Sequence, residues 1–563
     1  MISSRLKIEA PLIRNKLSFY AAGRIAYADQ LLRLFPVRAL AGVKAGFTDA
    51  VLRADYFPNA KNKFSLTVFN STDRFRLPGD SLRQVELDGS GSEFGWKSRI
   101  VTFGWSRYVS ARWQVQTTGV WSRYRSSIST PDPARAYRLT SGIDYKQLRA
   151  NLTYTNGTRF QAEAGLSGIL YDVVAGRLEP NHPRSQVNPV LLPDQRAIET
   201  GVYSQADWRL SKWVSVQIGL RYSWFGRLGP ATTYTYRADV SRLPETITNS
   251  VLTGAGRLAK TYSGLEPRLS VRFALSERVS VKVGLSRMIQ YVQQLSNTTA
   301  ALPADRWQMA DRYLKPQVAD QVSLGYFQNL RNDAVELSVE VFYKRLTNVN
   351  DFKGGTTLIL NRYPETAVLQ GNGLARGLEL YVRKSAGLLT GWISYTYSQT
   401  RFLIDSPFAD AAVNSGRYYP APYDKPHILN TILNYKLSSR ISVSVNGVYA
   451  SGRPVTYPSA KIYVGNRIVP YFTDRNQSRL PDYIRCDIGL TIDGLRDSGR
   501  TEKKRQFESD WSLSLYNVLG RRNAYSVYVQ TPTVYAEYYN RVNAYKLSVL
   551  GSAIPSVNYN FRF

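Results

Sequence analysis

Residues 214–224 read Val-Ser-Val-Gln-Ile-Gly-Leu-Arg-Tyr-Ser-Trp, and apolar and polar side chains alternate throughout this stretch. Because successive side chains of a β-strand point to opposite faces, a period of two predicts a strand with one apolar and one polar face. Val216, Ile218 and Leu220 share the apolar face, whereas Arg221 lies on the other. Such a strand needs hydrocarbon on one side and water on the other.

The same alternation recurs from one end of the chain to the other, and no helical period with caps competes with it. A fold built only from such strands is all-β. Further stretches with this pattern are Trp113–Trp121, Phe160–Gly168, Leu269–Leu275, Val279–Leu285 and Val557–Phe563.

The connections between the predicted strands alternate between short and long. Ser211–Trp213 is a short turn, Tyr291–Pro316 is a long loop, and Asp493–Asp510 is a long connection where a short one is due. Alternating connection lengths are typical of membrane barrels, whose short turns lie on one rim and whose long loops lie on the other. We therefore predict a transmembrane antiparallel β-barrel of the 22-strand type, with roughly 21 strands in this chain.

The ends of the chain bear on the count of strands. Phe563 would end on the short-turn rim, whereas Met1 would start on the long-loop rim. Because such barrels usually have an even number of strands, we expect one strand and everything before it to be missing. Residues 1–563 are thus expected to be one N-terminally truncated barrel, with neither a plug domain nor a signal peptide.

Composition excludes several classes of protein. Hydrophobic residues make up 43% of 563 residues and the mean hydropathy is −0.30, which argues against a helical membrane protein. The single cysteine, Cys486, excludes an intrachain disulfide framework, and His182 and His427 are too few for a histidine-based metal centre. Neither a catalytic triad, nor paired catalytic carboxylates, nor a phosphate-binding glycine loop stands out. We predict that the protein is not an enzyme and has no cofactor.

A net charge of +31 requires an anionic partner or an anionic surface such as lipopolysaccharide. The cations are spread over turns, loops and polar faces, and the motifs of nucleic-acid-binding proteins are missing, so we favour outer-leaflet phosphates over nucleic acid. Aromatic residues are 12% of the chain. Trp and Tyr near strand ends favour an interfacial girdle over a soluble core that uses aromatics for bulk.

A series of short motifs resembles the β-barrel part of TonB-dependent outer-membrane receptors. Each motif is weak alone, but their order matches the family over nearly the whole chain. They are Ile2–Glu9 with Pro11, Tyr203–Trp208, Gly219–Arg221, Glu266–Arg268, Leu314–Gln317, Leu324–Tyr326, Glu340–Lys344, Gly377–Glu379, Tyr423–His427 with Asn430, Asn434-Tyr435, Tyr516-Asn517 and Pro555–Phe563.

The resemblance implies a receptor and transporter in the Gram-negative outer membrane that takes up a scarce nutrient. Siderophores, cobalamin, glycans and peptides are the substrate classes of the family. Long loops and a plug domain inside the barrel catch the ligand there, and a box in the plug half recruits the TonB complex. A terminal aromatic residue such as Phe563 resembles the signal that the barrel assembly machinery reads.

Two sets of residues are candidates for function. Three arginines on polar faces are expected to point into the lumen, where they contact a plug or an anion, or are simply solvated: Arg221, Arg268 and Arg272. Loop aromatics are candidates for ligand capture, with interfacial anchoring as the alternative: Trp307, Tyr418, Tyr419, Tyr423, Tyr538 and Tyr539.

Two alternatives to an uptake receptor stay open at this point. The chain could be a passive pore or an inactive receptor remnant, since the same fold serves different functions. It could also be a surface β-protein that binds polyanions. The sequence does not name the ligand, because the loops carry that information and a single sequence does not show which loop positions matter.

Overall fold

The computed structural model describes residues 3–27, 44–76, 92–130, 132–296, 305–464, 467–494, 508–530, 543–548 and 551–562. Tyr538, Tyr539 and Phe563 lie outside the described residues, as does most of the connection after Asp493. Within the described ranges, no helix is long and apolar enough to cross a membrane. The α-helix α1 is a single turn, Pro364–Ala367, and the 3₁₀ turns are Pro244–Thr246, Ala409–Ala411 and Asn414–Gly416.

The described residues form 33 strands, which are numbered in chain order. The first eleven are β1 (Ser3–Ile13), β2 (Leu17–Tyr27), β3 (Lys44–Asn59), β4 (Asn62–Arg76), β5 (Glu93–Tyr108), β6 (Trp113–Ser129), β7 (Tyr137–Asn156), β8 (Phe160–Pro180), β9 (Val190–Leu191), β10 (Gln195–Arg209) and β11 (Val214–Leu228). The next eleven are β12 (Ala231–Tyr236), β13 (Ile247–Thr253), β14 (Leu258–Ala274), β15 (Val279–Gln290), β16 (Val292–Leu295), β17 (Arg306–Met309), β18 (Gln317–Leu330), β19 (Val335–Phe352), β20 (Val368–Lys384), β21 (Leu389–Leu403) and β22 (Tyr419–Pro420). The last eleven are β23 (His427–Lys436), β24 (Ile441–Ala450), β25 (Pro454–Val455), β26 (Ala460–Val464), β27 (Arg467–Tyr471), β28 (Ser478–Arg479), β29 (Tyr483–Asp493), β30 (Glu508–Tyr516), β31 (Ser526–Gln530), β32 (Asn543–Leu547) and β33 (Ile554–Arg562).

One antiparallel sheet contains 23 strands, of which β9 and β22 are only 2 residues long, and the other 21 form the wall. The predicted all-β barrel architecture and the strand number are confirmed. Among the described residues, β1 pairs only with β2 and β33 only with β30, so no pairing joins the two ends of the sheet. The wall strands follow one another in chain order: β1 to β8, β10, β11, β14, β15, β18 to β21, β23, β24, β29, β30 and β33.

The strand register separates the side chains into two faces, as the alternation predicts. On β11, Ile218 lies opposite Leu269, and Arg221 lies opposite Glu266. The side chains of Ile218 and Leu220 are exposed at 58% and 51%. Large apolar groups in contact with solvent across a whole face require a non-aqueous surrounding. This face is termed outward, and the face of Arg221 is termed inward.

The outward apolar band has the height of a bilayer. On β8, outward residues from Phe160 to Leu170 are apolar or small, and the next outward residue is Asp172. This matches the about 9–11 residues that a tilted strand needs to cross the hydrocarbon layer. Outward rings in mutual contact mark the end of the band near the short turns: Trp113, Tyr154, Phe160 and Trp208.

Several short turns share one local design, in which a serine follows the strand and its hydroxyl accepts bonds from backbone amides two or three residues later. At Ser211, Oγ accepts from the amides of Trp213 and Val214, both at 3.1 Å. Ser110 and Ser438 do the same for their turns. These turns need no side-chain partner elsewhere, since serine competes locally for backbone donors.

The buried core lies at the long-loop end, on the inward face, where loops cover the wall strands. A β-bulge between Thr347 and Val349 holds Asn348 at a φ of 59°, which asparagine tolerates. The extra residue keeps Leu346 and Val349 on the same buried side, at 6% and 1% exposure. The bulge therefore extends the inward face of β19 into the loops.

Candidate functional site: the loops at the barrel mouth

The hairpin β16–β17 folds back onto the inward face of the wall. Met309 and Ala310 are fully buried against Val173 of β8 and Phe225 of β11. The rings of Phe225 and Tyr291 stack with centroids 5.0 Å apart. Apolar burial of this kind on the inward face means that the loop occupies space inside the barrel mouth.

Polar contacts fix the same hairpin to the wall. Gln195 donates from Nε2 to Oε1 of Gln308 at 2.8 Å, and its own Oε1 accepts from the amide of Met309 at 3.1 Å. Arg227 Nη1 lies 2.7 Å from Asp311 Oδ2. Both charged side chains are only 16% exposed. Breaking such a shielded ion pair costs free energy, so the pair fixes the hairpin to the wall.

A second loop, residues 353–367, crosses the mouth. It begins at β19, yet Ile359 and Leu360 at its tip pack against the cluster of Phe94 of β5, Ile128 of β6 and Leu139 of β7. The wall strands β10, β11, β14, β15 and β18 lie between the two attachment points on one side. Gly176 makes room for the tip, since a Cβ there would lie 3.3 Å from the Leu360 side chain.

Asp351, near the end of β19, joins two further loops. It is 5% exposed, accepts a hydrogen bond from the hydroxyl of Tyr419 and forms an ion pair with Arg475. The backbone of Arg475 forms two hydrogen bonds with the side chain of Asn414. The Arg475 amide donates to Asn414 Oδ1 at 2.7 Å, and Asn414 Nδ2 donates to the Arg475 carbonyl at 3.0 Å. One buried carboxylate thus holds the loops 404–426 and 451–482 together.

A more exposed contact links the crossing loop to its neighbours. Lys353 Nζ donates to Asp410 Oδ2 at 2.8 Å, and Ser241 Oγ donates to the same oxygen at 2.5 Å. The inward-folded parts of the loops 229–257, 291–316, 353–367, 404–426 and 451–482 are together termed the mouth cap.

This contact predicts a dependence on pH. The hydrogen bonds from Lys353 and then Ser241 lower the pKa of the Asp410 carboxyl. A depressed carboxyl pKa adds stability that is present above the unfolded-state pKa, about 4, and is lost as the pH falls through the folded-state value. We expect amide protection in the loop 404–426 to be constant from pH 7 to about 5 and to decrease below about pH 4, measured by hydrogen exchange. Asp410→Asn should abolish this acid-induced step; an unchanged step would contradict the assignment.

Tyrosines and arginines from three loops meet at the mouth cap. The rings of Tyr236 and Tyr313 lie edge to face at 5.5 Å, and those of Tyr234 and Tyr363 at 5.1 Å. The Arg242 guanidinium lies 5.0 Å from the centre of the Tyr313 ring. This group is termed the Tyr–Arg cluster and consists of Tyr234, Tyr236, Arg242, Arg312, Tyr313, Arg362 and Tyr363.

The Tyr–Arg cluster carries excess positive charge towards solvent. Arg312 and Arg362 are exposed, and in the described part of the chain neither forms an ion pair. Beneath the cluster, Glu365 accepts a hydrogen bond from the Tyr236 hydroxyl at 2.8 Å, and burial raises the pKa of its carboxyl. Burial also lowers the pKa of the Arg306 guanidinium to about 10. The outer layer can accept an anion, while the charges below it are engaged within the protein.

The predicted loop aromatics have different surroundings. Tyr419 is 1% exposed and belongs to the interior of the mouth cap, and Trp307 packs beside Met309. Tyr418 and Tyr423 are exposed at 53% and 59%. The structure does not place any of the four in the Tyr–Arg cluster, so their roles in ligand capture stay predictions.

The three predicted lumen arginines all lie on the inward face. Arg221 is enclosed, with Nη2 and Nε each 3.5 Å from a carboxylate oxygen, on Glu199 and Glu266 respectively. Arg268 and Arg272 are exposed and lie opposite Gly219 and Ser215 of β11. Arg221 is therefore engaged within the wall, whereas the guanidinium groups of the other two remain accessible. Their contact with a plug or an anion is still a prediction.

The Tyr–Arg cluster is not predicted by the sequence motifs. A signal for it exists, because Arg-Tyr dipeptides occur in consecutive long loops: Arg312-Tyr313, Arg362-Tyr363 and Arg417-Tyr418. The repeated dipeptide does not say which loops meet. That depends on the inward folding of the loops, which the sequence pattern of the wall does not encode.

Comparison with known proteins relates the chain to one family. The sequence matches the family described as "TonB dependent receptor-like, beta-barrel" over residues 43–519. No curated protein sequence matches the chain.

Solved structures with the same fold include three receptors, all of low sequence identity. The siderophore receptor PiuA from Acinetobacter baumannii is 12% identical, with a TM-score of 0.64 over 100% of this chain and 79% of that chain. The ferric-catecholate import receptor Fiu from E. coli K12 is 13% identical, with a TM-score of 0.63 over 100% and 80%. The ferric yersiniabactin uptake receptor FyuA from Yersinia pestis is 13% identical, with a TM-score of 0.60 over 100% and 77%.

Proposed function

Since the chain belongs to the TonB-dependent receptor β-barrel family, we propose that it captures and takes up an anionic metal chelate that carries aromatic groups. Members of this family are transporters rather than enzymes and reside in the Gram-negative outer membrane. The proposal concerns the ligand and the place where it is first bound, which is the Tyr–Arg cluster.

The single observation that carries the proposal is the composition of the Tyr–Arg cluster. Its tyrosines are held by ring contacts and by a hydrogen bond from the Tyr313 hydroxyl to the carbonyl of Tyr234 at 3.0 Å. Preordered aromatic rings provide contact area at little entropic cost. Exposed guanidinium groups beside them supply planar donors for carboxylate, phenolate or catecholate oxygens.

The names of the structural neighbours agree with a metal chelate as the ligand. PiuA is a siderophore receptor, Fiu a ferric-catecholate import receptor and FyuA a ferric yersiniabactin uptake receptor. These names support a metal chelate as the class of ligand, and the charge of the Tyr–Arg cluster favours anionic members of that class. Energised release into the periplasm then follows the route of the family, through a plug domain and the TonB complex.

The test measures binding of two ferric chelates to the refolded chain in detergent, by quenching of tryptophan fluorescence. One is a ferric tris-catecholate, which is anionic and aromatic; the other is an uncharged aliphatic ferric trihydroxamate. We expect the tris-catecholate to bind. The double variant Arg312→Ala and Arg362→Ala should weaken its binding at least about tenfold, since each charge-assisted contact contributes about 1.5–3 kcal/mol when it is shielded.

A matched variant removes two exposed arginines from the short-turn rim instead, Arg112→Ala and Arg159→Ala. It should bind like the unmodified chain, because the same net charge is lost far from the mouth. Equal affinities for the two chelates, equal losses in the two double variants, or no binding of the tris-catecholate would each refute the proposal.

A further inference from the structure

A second group of cations lies on the outward face of the wall, just beyond the apolar band. On β5 the outward residues Trp105, Phe103 and Val101 are followed by Arg99 and Lys97. On β6, Trp121 is followed by Arg123 and Arg125 at the same height. On β4, Asn70 and Thr72 lie at this height, and the basic residues Arg74 and Arg76 follow beyond them. This group is termed the basic crest and consists of Arg74, Arg76, Lys97, Arg99, Arg123 and Arg125.

The register of β5 and β6 places like charges directly opposite each other in the basic crest. Lys97 pairs with Arg125 and Arg99 pairs with Arg123. Like charges directly opposite across antiparallel strands are destabilising, and two consecutive pairs on one face add their repulsion. The arrangement is costly in the isolated chain and becomes favourable when anions lie between the cations.

Two outward carboxylates face the six cations of the basic crest, Glu93 opposite Arg76 and Asp144 opposite Arg123. Asp144 Oδ2 lies 2.8 Å from Arg123 Nη2, and its Oδ1 lies 2.5 Å from Arg125 Nη1, so one carboxylate serves two arginines. In the described ranges, no ion pair involves Lys97 or Arg99, although Arg99 Nε donates to Asn70 Oδ1 at 2.9 Å. Both cations are exposed.

The position of the basic crest selects the kind of anion. The crest begins where the hydrocarbon band ends, on the side of the long loops and therefore at the outer leaflet. Cations at that depth contact lipid headgroups. The acyl chains of an anionic lipid anchor its charged headgroup at the same depth. By contrast, Arg287 at a similar height is paired with Asp320, Nε to Oδ1 at 2.6 Å and Nη2 to Oδ2 at 3.0 Å.

We propose that the basic crest is a binding site for the phosphate groups of an outer-leaflet glycolipid, namely the lipid A part of lipopolysaccharide. Lys97 and Arg99 provide the unpaired cations, and Arg123 and Arg125 complete a surface that holds phosphates between β5 and β6. The proposal is independent of the nutrient ligand, since it concerns the outward face.

The experiment uses the full chain refolded in detergent and measures its thermal unfolding with and without lipid A. Phosphorylated lipid A should raise the unfolding temperature by several degrees, as expected for a ligand that binds only the folded state. In the double variant Lys97→Gln and Arg99→Gln, this increase should largely disappear and the apparent affinity should fall about tenfold or more. Without lipid the variant should be at least as stable as the unmodified chain, because like-charge repulsion is relieved.

Two controls separate the proposal from its alternatives. Arg268→Gln with Arg272→Gln removes two exposed cations from the inward face of the wall and should leave the response to lipid A unchanged. Dephosphorylated lipid A and inorganic pyrophosphate should each give little stabilisation. An equal response of the two double variants, no response of the unmodified chain, or full stabilisation by either of these two compounds would overturn the proposal.

Discussion

Replacing Ile218 by Arg is expected to destabilise the folded state of the chain in a bilayer more than the same substitution at the neighbouring Gln217. Ile218 is 58% exposed on the outward face, near the middle of the apolar band of β11. Arginine at the bilayer midplane of a membrane barrel costs about 2–4 kcal/mol. This corresponds to a folding equilibrium that is roughly 30- to 1,000-fold less favourable. Refolding into lipid vesicles along a urea gradient, followed by the shift in electrophoretic mobility of folded barrels, measures the effect.

The adjacent position gives a matched control on the same strand. Gln217→Arg places the same side chain on the inward face, opposite Asp207 of β10. We expect a change within about 0.5 kcal/mol, as for a surface substitution. If both variants refold equally well in vesicles, the assignment of the outward face would be wrong.

Asp351→Ala is expected to release two loops of the mouth cap while the wall stays folded. Without the carboxylate, Arg475 has lost its ion-pair partner and the hydroxyl of the buried Tyr419 has lost its acceptor. Removing one partner of a buried ion pair costs about 3–5 kcal/mol. Hydrogen exchange in residues 404–426 and 467–482 should accelerate by two orders of magnitude or more, with the wall strands unaffected.

Two other substitutions calibrate this result. Asp351→Asn keeps an acceptor for Tyr419 and should have an intermediate effect. Asp194→Ala removes an ion pair with Arg177 whose side chains are 44% and 43% exposed, and should cost less than about 1 kcal/mol. If the amide hydrogens of these loops exchange equally fast in all three variants, Asp351 does not hold the mouth cap.

The wall of this protein could be predicted from the sequence, and its mouth could not. A period of two on β11 has one explanation, because a shift of one residue would exchange Ile218 and Arg221 between lipid and water. The short turns likewise depend on neighbouring residues, as at Ser211. Local patterns of this kind can be recognised within a single segment of the chain, without knowledge of the rest of the fold.

The contacts of the mouth cap depend instead on residues far apart in sequence. Gln195 and Gln308 are separated by 113 positions and Asp351 and Arg475 by 124. Neither pair has a motif, since a glutamine or an aspartate in a polar loop is ordinary. The same limit explains why Tyr419, predicted as a ligand contact, proves to be buried, whereas Arg312 and Tyr313 were not predicted.

The crossing loop spans the barrel mouth, and its tip rests on the far wall at the cluster of Phe94, Ile128 and Leu139. The packing contact of the tip is weak, because the side chains of Ile359 and Leu360 are only partly buried. Leu360 also holds a left-handed φ of 55°, which costs a residue with a side chain about 1–2 kcal/mol. The residues on either side of the tip are held more firmly, since Leu358 is buried at 3% exposure and the carbonyl of Asn361 accepts a hydrogen bond from Arg306. We therefore expect the two tip residues to leave the far wall before the rest of the crossing loop moves.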